Sequence, residues 1–328
     1  MNGPSPQAGI DEAVAALRRG EVIGLPTETV YGLAADGANA SAVMKIFALK
    51  GRPADHPLIL HIAGAAQLRD FARDLPPAAM ALAEAFWPGP LTLILARAPS
   101  VPDAVTGGQD SVGLRCPAHP VALELLRAFG GGLAAPSANR FGHISPTTAA
   151  HVRSEFGAAV PIVLDGGECE VGIESTIVDL FSARPRILRP GRITREQLEA
   201  VLGENIEDAP GADSPRASGT LEAHYAPRTP MLLLAREAME REAVQQRALG
   251  QRVALLALGA LPQGFSGESL PAEAQGYAHG LYAALRALDA GGAHLLLVQR
   301  PPEGRDWLAV HDRLRRAAAG AAPVFDSP

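Results

Sequence analysis

Only two of the 29 basic residues are lysines, Lys45 and Lys50, and the second stands in Lys50-Gly51-Arg52-Pro53. Pro53 and Pro57 stiffen this segment, so its two cations are held rather than left to wander. A lysine point charge beside an arginine fork suits a polyphosphate; alone, the pair equally suits a solvated helix end. Other polar groups gather where apolar runs stop. Pro26-Thr27-Glu28-Thr29-Val30-Tyr31-Gly32-Leu33 sets three polar side chains before an aromatic ring and a glycine, as a pocket wall or an ordinary connection would. Arg115 closes Ser111-Val112-Gly113-Leu114, a costly place for a guanidinium unless a carboxylate or phosphate meets it. Ala135-Pro136-Ser137-Ala138-Asn139 offers a hydroxyl and an amide from a stiff turn. Ser145-Pro146 predicts a serine cap with proline at the first helical position, opening a helix whose free N–H groups favour an anion. Glu174-Ser175-Thr176 precedes an apolar run, and Arg189-Pro190-Gly191-Arg192 follows another. Lys50, Arg52, Arg115 and Arg189, taken with these hydroxyls, predict a site for an anionic, phosphate-bearing ligand. His61, alone on an apolar run, equally reads as a core histidine. Neither GxxxxGK[ST], HExxH, GxSxG nor GxGxxG occurs, and the nine histidines lack metal-ligand spacing, so no protein-held metal is expected.

These residues need a scaffold of alternating strands and helices. Ile10, Val14 and Leu17 recur at helical spacing before Gly20, and Ser41 to Lys50 predicts a second helix. Strands are expected over Glu21 to Pro26, Leu58 to Ile62, Leu91 to Ala96, Ser111 to Arg115, Leu133 to Ala135, Ile162 to Leu164 and Thr176 to Asp179. Thr194-Arg195-Glu196-Gln197 is a capping box. The order is too irregular for a Rossmann repeat, so a mixed α/β sheet is expected for residues 1–206. Residues 207–230, rich in proline, glycine and serine, read as a linker or lid, in which Tyr225 beside His224 is an odd residue for a passive tether. A tyrosine there could cover a nucleotide, and its replacement by alanine is then expected to leave stability nearly unchanged. Residues 231–328 alternate as strand and helix three times, from Met231 to Ala318, predicting a smaller parallel sheet.

Composition narrows the function. The 328 residues are 47% hydrophobic and 20% charged, enough for sizeable cores and against disorder. A net charge of −6 argues against coating nucleic acid by bulk charge. No apolar run approaches the roughly 20 residues of a membrane span, and the first nine residues lack the features of a signal peptide. Two cysteines, Cys116 and Cys169, fit a reducing cytoplasm.

The motifs PTETVYGL, KGRP with HPLILHI, FWPGPLTLIL, SVGLRCPAHP, APSAN, SPT, and ESTIVDL followed by LRPG resemble those of the threonylcarbamoyl-AMP synthases, the YrdC-type family. SGTLEAHYAP and the last third resemble its long form with an added C-terminal domain. The resemblance implies an α/β fold: a YrdC-like mixed twisted sheet with a deep cavity, then a smaller Rossmann-like parallel-sheet domain. It implies condensation of L-threonine, bicarbonate and ATP into threonylcarbamoyl-AMP and pyrophosphate, with Mg²⁺ accompanying the ATP. A separate transferase complex would then modify tRNA, so that tRNA contact is indirect. Matched by motif, Thr29, His61, Arg115, Ala135 and Ser175 would line the threonine site. Arg52, His56, Ser111, Ser137, Ser145, Arg189 and Tyr225 would contact ATP, with Lys50 a further phosphate cation; Lys50 and Arg52 are the expected catalytic pair. His56 departs from the asparagine usual in the family. Glu28 and Glu174 would be the carboxylates able to take a proton from the amine, and equally suit structural salt bridges. A carbamoyl transferase of hydrogenase maturation, whose cysteine-rich zinc segments are missing here, and a non-catalytic RNA-binding module are the competing readings.

Overall fold

The computed structural model describes residues 6–207, 211 and 213–321; the sequence readings made for residues 1–5, 208–210, 212 and 322–328 lie outside that range. The chain divides into two compact units. The first comprises Met1–Arg140, Pro146–Glu170 and Glu174–Thr220, and the second Phe141–Ser145, Val171–Ile173 and Leu221–Pro328. Residues 207–220 thus group with the first unit and 221–230 with the second, so the expected linker is shared between them.

The first unit is built on eight strands: β1 (Ile23–Leu25), β2 (Gly32–Asp36), β3 (Ile59–His61), β4 (Leu91–Ala96), β5 (Ser111–Arg115), β6 (Leu133–Ala134), β7 (Thr176–Asp179) and β8 (Arg186–Arg189). They form one sheet in the order β1-β2-β6-β3-β5-β4-β7-β8. Only β3 with β5 and β4 with β7 run parallel; the other neighbours are antiparallel. This is the mixed sheet expected. Leu60, Leu93, Leu95, Val112, Leu114 and Val178 turn to one face and join the main core with Val43, Ile46 and Phe47 of the helix Ala40–Lys50. Period-two alternation therefore sends their neighbours, including His61, Thr92 and Arg115, to the other face.

Two local expectations change. Ile162 to Leu164 is not a strand but a single bridge, with Leu164 N donating to Gly24 O and Gly24 N to Ile162 O. The helix expected at Ser145-Pro146 begins instead at Ala149, capped by Thr148, whose side chain accepts from His151 N. The Pro146 carbonyl accepts from Tyr31 N, so this stretch pairs with the β2 approach rather than turning helical.

The second unit carries four parallel strands, β9 (Met231–Leu234), β10 (Val253–Leu258), β11 (Gly267–Leu270) and β12 (Leu295–Gln299), in the order β11-β10-β12-β9. Three were expected. The fourth, β11, is a short edge strand with two exposed polar residues, Glu268 and Ser269, and so has no apolar signature.

Candidate active site

The face of the first sheet that bears His61, Thr92 and Arg115 carries the candidate site. Ile59, Gly113 and Ile94 stand abreast on β3, β5 and β4, while His61 pairs with Arg115, and Thr92 and Arg189 both pair with Ile177. A Cβ on Gly113 would lie 3.2 Å from Ile94 Cδ1 and 3.5 Å from the Thr92 methyl, so glycine keeps the middle of this face shallow. Ile59, Ile94, Ile177 and Leu188 form a small apolar patch there, and Ala217 packs into it.

Arg115 is 4% exposed and distributes its donors over three acceptors. Nε donates to Gly89 O at 3.3 Å, Nη1 to Thr29 Oγ1 at 2.8 Å and Nη2 to Glu28 Oε1 at 2.6 Å. Thr27 donates its hydroxyl to Val30 O at 2.6 Å, so in its 2.8 Å contact with Thr29 the latter must donate. A directed chain results, from Arg115 through Thr29 and Thr27 to a backbone carbonyl, and it fixes the Thr29 hydroxyl. His61, beside Arg115, is held neutral: burial first, then the Arg115 charge, pulls its pKa down to about 3. His61 Nδ1 and Glu28 Oε2 are both buried without a hydrogen-bond partner. Ala135 sits beside this group, its N–H donating to Ile59 O at 3.0 Å.

The cations expected to hold phosphate stand on the same unit. Asn39 caps the helix Ala40–Lys50 and Gly51 ends it at φ 64°, a left-handed turn that sets Lys50 and Arg52 on either side. Lys50 is 2% exposed, and Nζ donates to Ser137 O at 2.5 Å and Asn139 O at 2.6 Å. Burial, and after it the Arg52 charge, pushes this amine well below its ordinary pKa. Arg52 Nη2 donates to Pro57 O at 3.0 Å and to Ser218 Oγ at 3.1 Å. Arg189 donates from Nε to Ser175 O at 3.0 Å, from Nη2 to Ser175 Oγ at 3.1 Å and from Nη1 to Ser218 O at 2.9 Å. Ser175 also shares a 2.8 Å hydrogen bond with Thr92. His56, partly buried, is pulled to a lower pKa by burial and then by Arg52. Ser111 is buried at the start of β5, and Ser137 bridges to Gly32.

Thr29, His61, Arg115 and Ser175, with Lys50, Arg52 and Arg189, thus belong to one unit, as do Ala135, His56, Ser111 and Ser137. Ser145 and Tyr225 belong to the other. Ser145 O accepts from Arg286 Nε at 3.2 Å. Tyr225, 1% exposed with φ 62°, stacks on Tyr282 at 5.7 Å, and the Arg313 guanidinium lies 5.4 Å from its ring centroid. A ring so enclosed is not the free tip of a flap, which overturns the expectation that its removal leaves stability unchanged. Sequence reasoning missed Thr92 and Ser218. The alternation of β4 carried a signal for the first, since Thr92 interrupts an otherwise apolar strand; for Ser218 the signal was its place at the head of the SGTLEAHYAP motif.

Among the described residues no group of three or more His, Cys, Asp or Glu could hold a metal ion. A family described as "Telomere recombination", comprising Sua5, YciO and YrdC, matches residues 15–191, and the "Threonylcarbamoyl-AMP synthase, C-terminal domain" family matches residues 193–319. The chain is 39% identical over 319 residues to the threonylcarbamoyl-AMP synthase of Pyrococcus abyssi (strain GE5 / Orsay), covering 93% of each chain. It is 40% identical over 325 residues to that of Bacillus subtilis (strain 168), covering 95% of this chain and 93% of the relative. Its fold is similar to that of P. abyssi Sua5 complexed with L-threonine, with a TM-score of 0.89 and 37% identity across 98% of this chain and 97% of the other. Two domain matches in sequence order and near-complete coverage of both relatives lead to one assignment: this chain belongs to the Sua5–YciO–YrdC family, and carries the threonylcarbamoyl-AMP synthase C-terminal domain as well.

Proposed function

We propose that the protein is an L-threonylcarbamoyladenylate synthase, joining L-threonine, bicarbonate and ATP into threonylcarbamoyl-AMP with release of pyrophosphate and water. The observation that carries this reading is the buried Arg115–Glu28 pair, whose opposite charges suit the two charged groups of an amino acid, on the same unit as Lys50, Arg52 and Arg189. The threonine amine takes up the carbon of bicarbonate, and an oxygen of the resulting N-carboxylate attacks the α-phosphate. No protein nucleophile is needed. Cys116 and Cys169 are in any case buried thiols, pushed up to about 11 and about 12 by that burial.

The chain contributes orientation and charge. Thr29, with its hydroxyl direction fixed, and Ser175, held by Arg189, offer oriented polar contacts to threonine, and neutral His61 adds a ring nitrogen. Lys50, Arg52 and Arg189 neutralise the phosphates as negative charge shifts to the departing pyrophosphate. Mg²⁺ would arrive on the ATP phosphate oxygens as part of the substrate. The ATP roles of His56, Ser111, Ser137, Ser145 and Tyr225 rest on motif resemblance. A separate transferase complex would consume the product on tRNA, since an acyl-phosphate anhydride is a group donor that hydrolyses on standing. No helix among the described residues is long and apolar enough to cross a membrane, and a reducing cytoplasm suits the two free thiols.

The test is pyrophosphate release from ATP with each substrate withheld in turn. Release is expected only when threonine and bicarbonate are both present. Equal release without threonine overturns the reading.

A further inference from the structure

Glu28 has one carboxylate oxygen that nothing in the fold uses. Its Oε1 accepts from Arg115 Nη2 at 2.6 Å, whereas Oε2 is buried and has no hydrogen-bond partner. Glu28 is 5% exposed and Arg115 is 4% exposed, so water does not supply the missing contact cheaply. A structural carboxylate–guanidinium pair frequently closes as a fork, two N–H groups on two oxygens, as Arg19 and Glu21 do here. Arg115 instead turns its other donors to Thr29 and Gly89, leaving the second oxygen open. The charge balance gives the same message. Without Glu28 the Arg115 guanidinium would have only neutral oxygens as partners, those of Gly89 and Thr29, an environment that repels an ammonium group. With Glu28, the Arg115 end is neutral overall and dipolar, complementary to a zwitterion.

Resting on the threonine reading above, we propose that Glu28 receives the ammonium group of the amino-acid substrate on Oε2 and takes its proton before the carbon–nitrogen bond forms. The step balances. The ammonium N–H breaks and its proton passes to the Glu28 carboxylate, leaving a neutral amine. The amine lone pair attacks bicarbonate carbon, a C–O bond breaks, and the products are the N-carboxylate and water. His61 is a poor substitute because burial and the Arg115 charge hold it neutral even in acid. Glu28 therefore sets the specificity for an amino acid over the corresponding hydroxy acid.

The experiment is titration calorimetry of the full-length protein with L-threonine and with 2,3-dihydroxybutanoate, which has a hydroxyl in place of the ammonium, alongside pyrophosphate release. The wild-type protein is expected to bind threonine at least roughly tenfold more tightly than the hydroxy acid. Glu28→Gln keeps an oxygen for Arg115 but no charge; it should abolish that preference, weaken threonine at least roughly tenfold, and leave ATP binding within about threefold. Wild-type protein that binds both acids equally overturns the proposal without any variant. So does a Glu28→Gln protein that keeps the preference. Pyrophosphate release that ignores threonine in the wild type overturns the synthase reading instead, and the Glu28 proposal with it.

Discussion

Arg115 and Glu28 come from positions 87 residues apart and are both nearly dry. Breaking such a pair by deleting one member leaves an uncompensated buried charge, at a cost of about 3–5 kcal/mol. Arg115→Ala is therefore expected to lower the urea midpoint markedly, in addition to weakening threonine use. The double variant Arg115→Ala/Glu28→Ala should recover part of the lost stability but none of the activity, a split readable by equilibrium unfolding and a pyrophosphate assay. His61 gives a pH signature. Its pKa is about 3 in the fold, below the ordinary value near 6.5, so the fold prefers the neutral ring. That preference contributes fully above about pH 6.5 and is lost as pH falls toward about 3, at up to about 1.4 kcal/mol per pH unit. Between pH 7.5 and 5 the protein should lose about 2 kcal/mol through this group alone, and His61→Asn should lose correspondingly less when unfolding is followed at both values.

Residues 216–218 form a strap over the site-bearing face of the first sheet. Ala217 sits in the patch of Ile59, Ile94, Ile177 and Leu188, while Ser218 meets Arg52 through its hydroxyl and Arg189 through its carbonyl. An Ala217→Asp substitution would bury a carboxylate among aliphatic side chains, so the strap is expected to lift. ATP affinity should then fall several-fold, and further than threonine affinity, because Arg52 and Arg189 meet the strap directly whereas Ser175 is joined to it only through Arg189. Calorimetric titration with each substrate checks this. Not every such element was readable beforehand. Leu91–Ala96 and Ser111–Arg115 were expected over the spans observed, the first as an apolar run around Thr92 and Ile94 and the second as a short run with Val112 and Leu114 closed by Arg115. β2 passed as part of a polar turn because Gly32-Leu33-Ala34-Ala35-Asp36 has no β-branched or aromatic residue, and only pairing with β1 and β6 makes it a strand. The cations were visible as types at stiffened positions; the pairing of Arg115 with Glu28, and of both Arg52 and Arg189 with Ser218, was not. Those contacts depend on strand order, which no local pattern encodes.

At the scale of the whole chain, the second unit holds its own entry segment firmly. Asp289 accepts from the backbone N–H groups of Arg228 and Thr229 at 3.1 and 2.8 Å, and Asp312 accepts from Arg313, Arg315 and Arg316. Tyr225 lies inside this arrangement, so Tyr225→Ala should destabilise the second unit by about 3–5 kcal/mol, and Tyr225→Phe, which keeps the buried ring, should lose less; differential scanning calorimetry separates the two. The near-absence of lysine has a different use. Lys45 is exposed with a single bond from Nζ to Gly20 O, whereas Lys50 is buried and sealed by two carbonyls, so an acylating reagent meets the first ε-amine readily and the second only while the turn at Ser137 and Asn139 has let go. Peptide mapping after timed acetylation would then read the rate at Lys50, against the internal standard of Lys45, as an opening constant for the turn whose carbonyls cover it. The molecule contains its own stopwatch for the motions of that one turn, with a single other lysine as background.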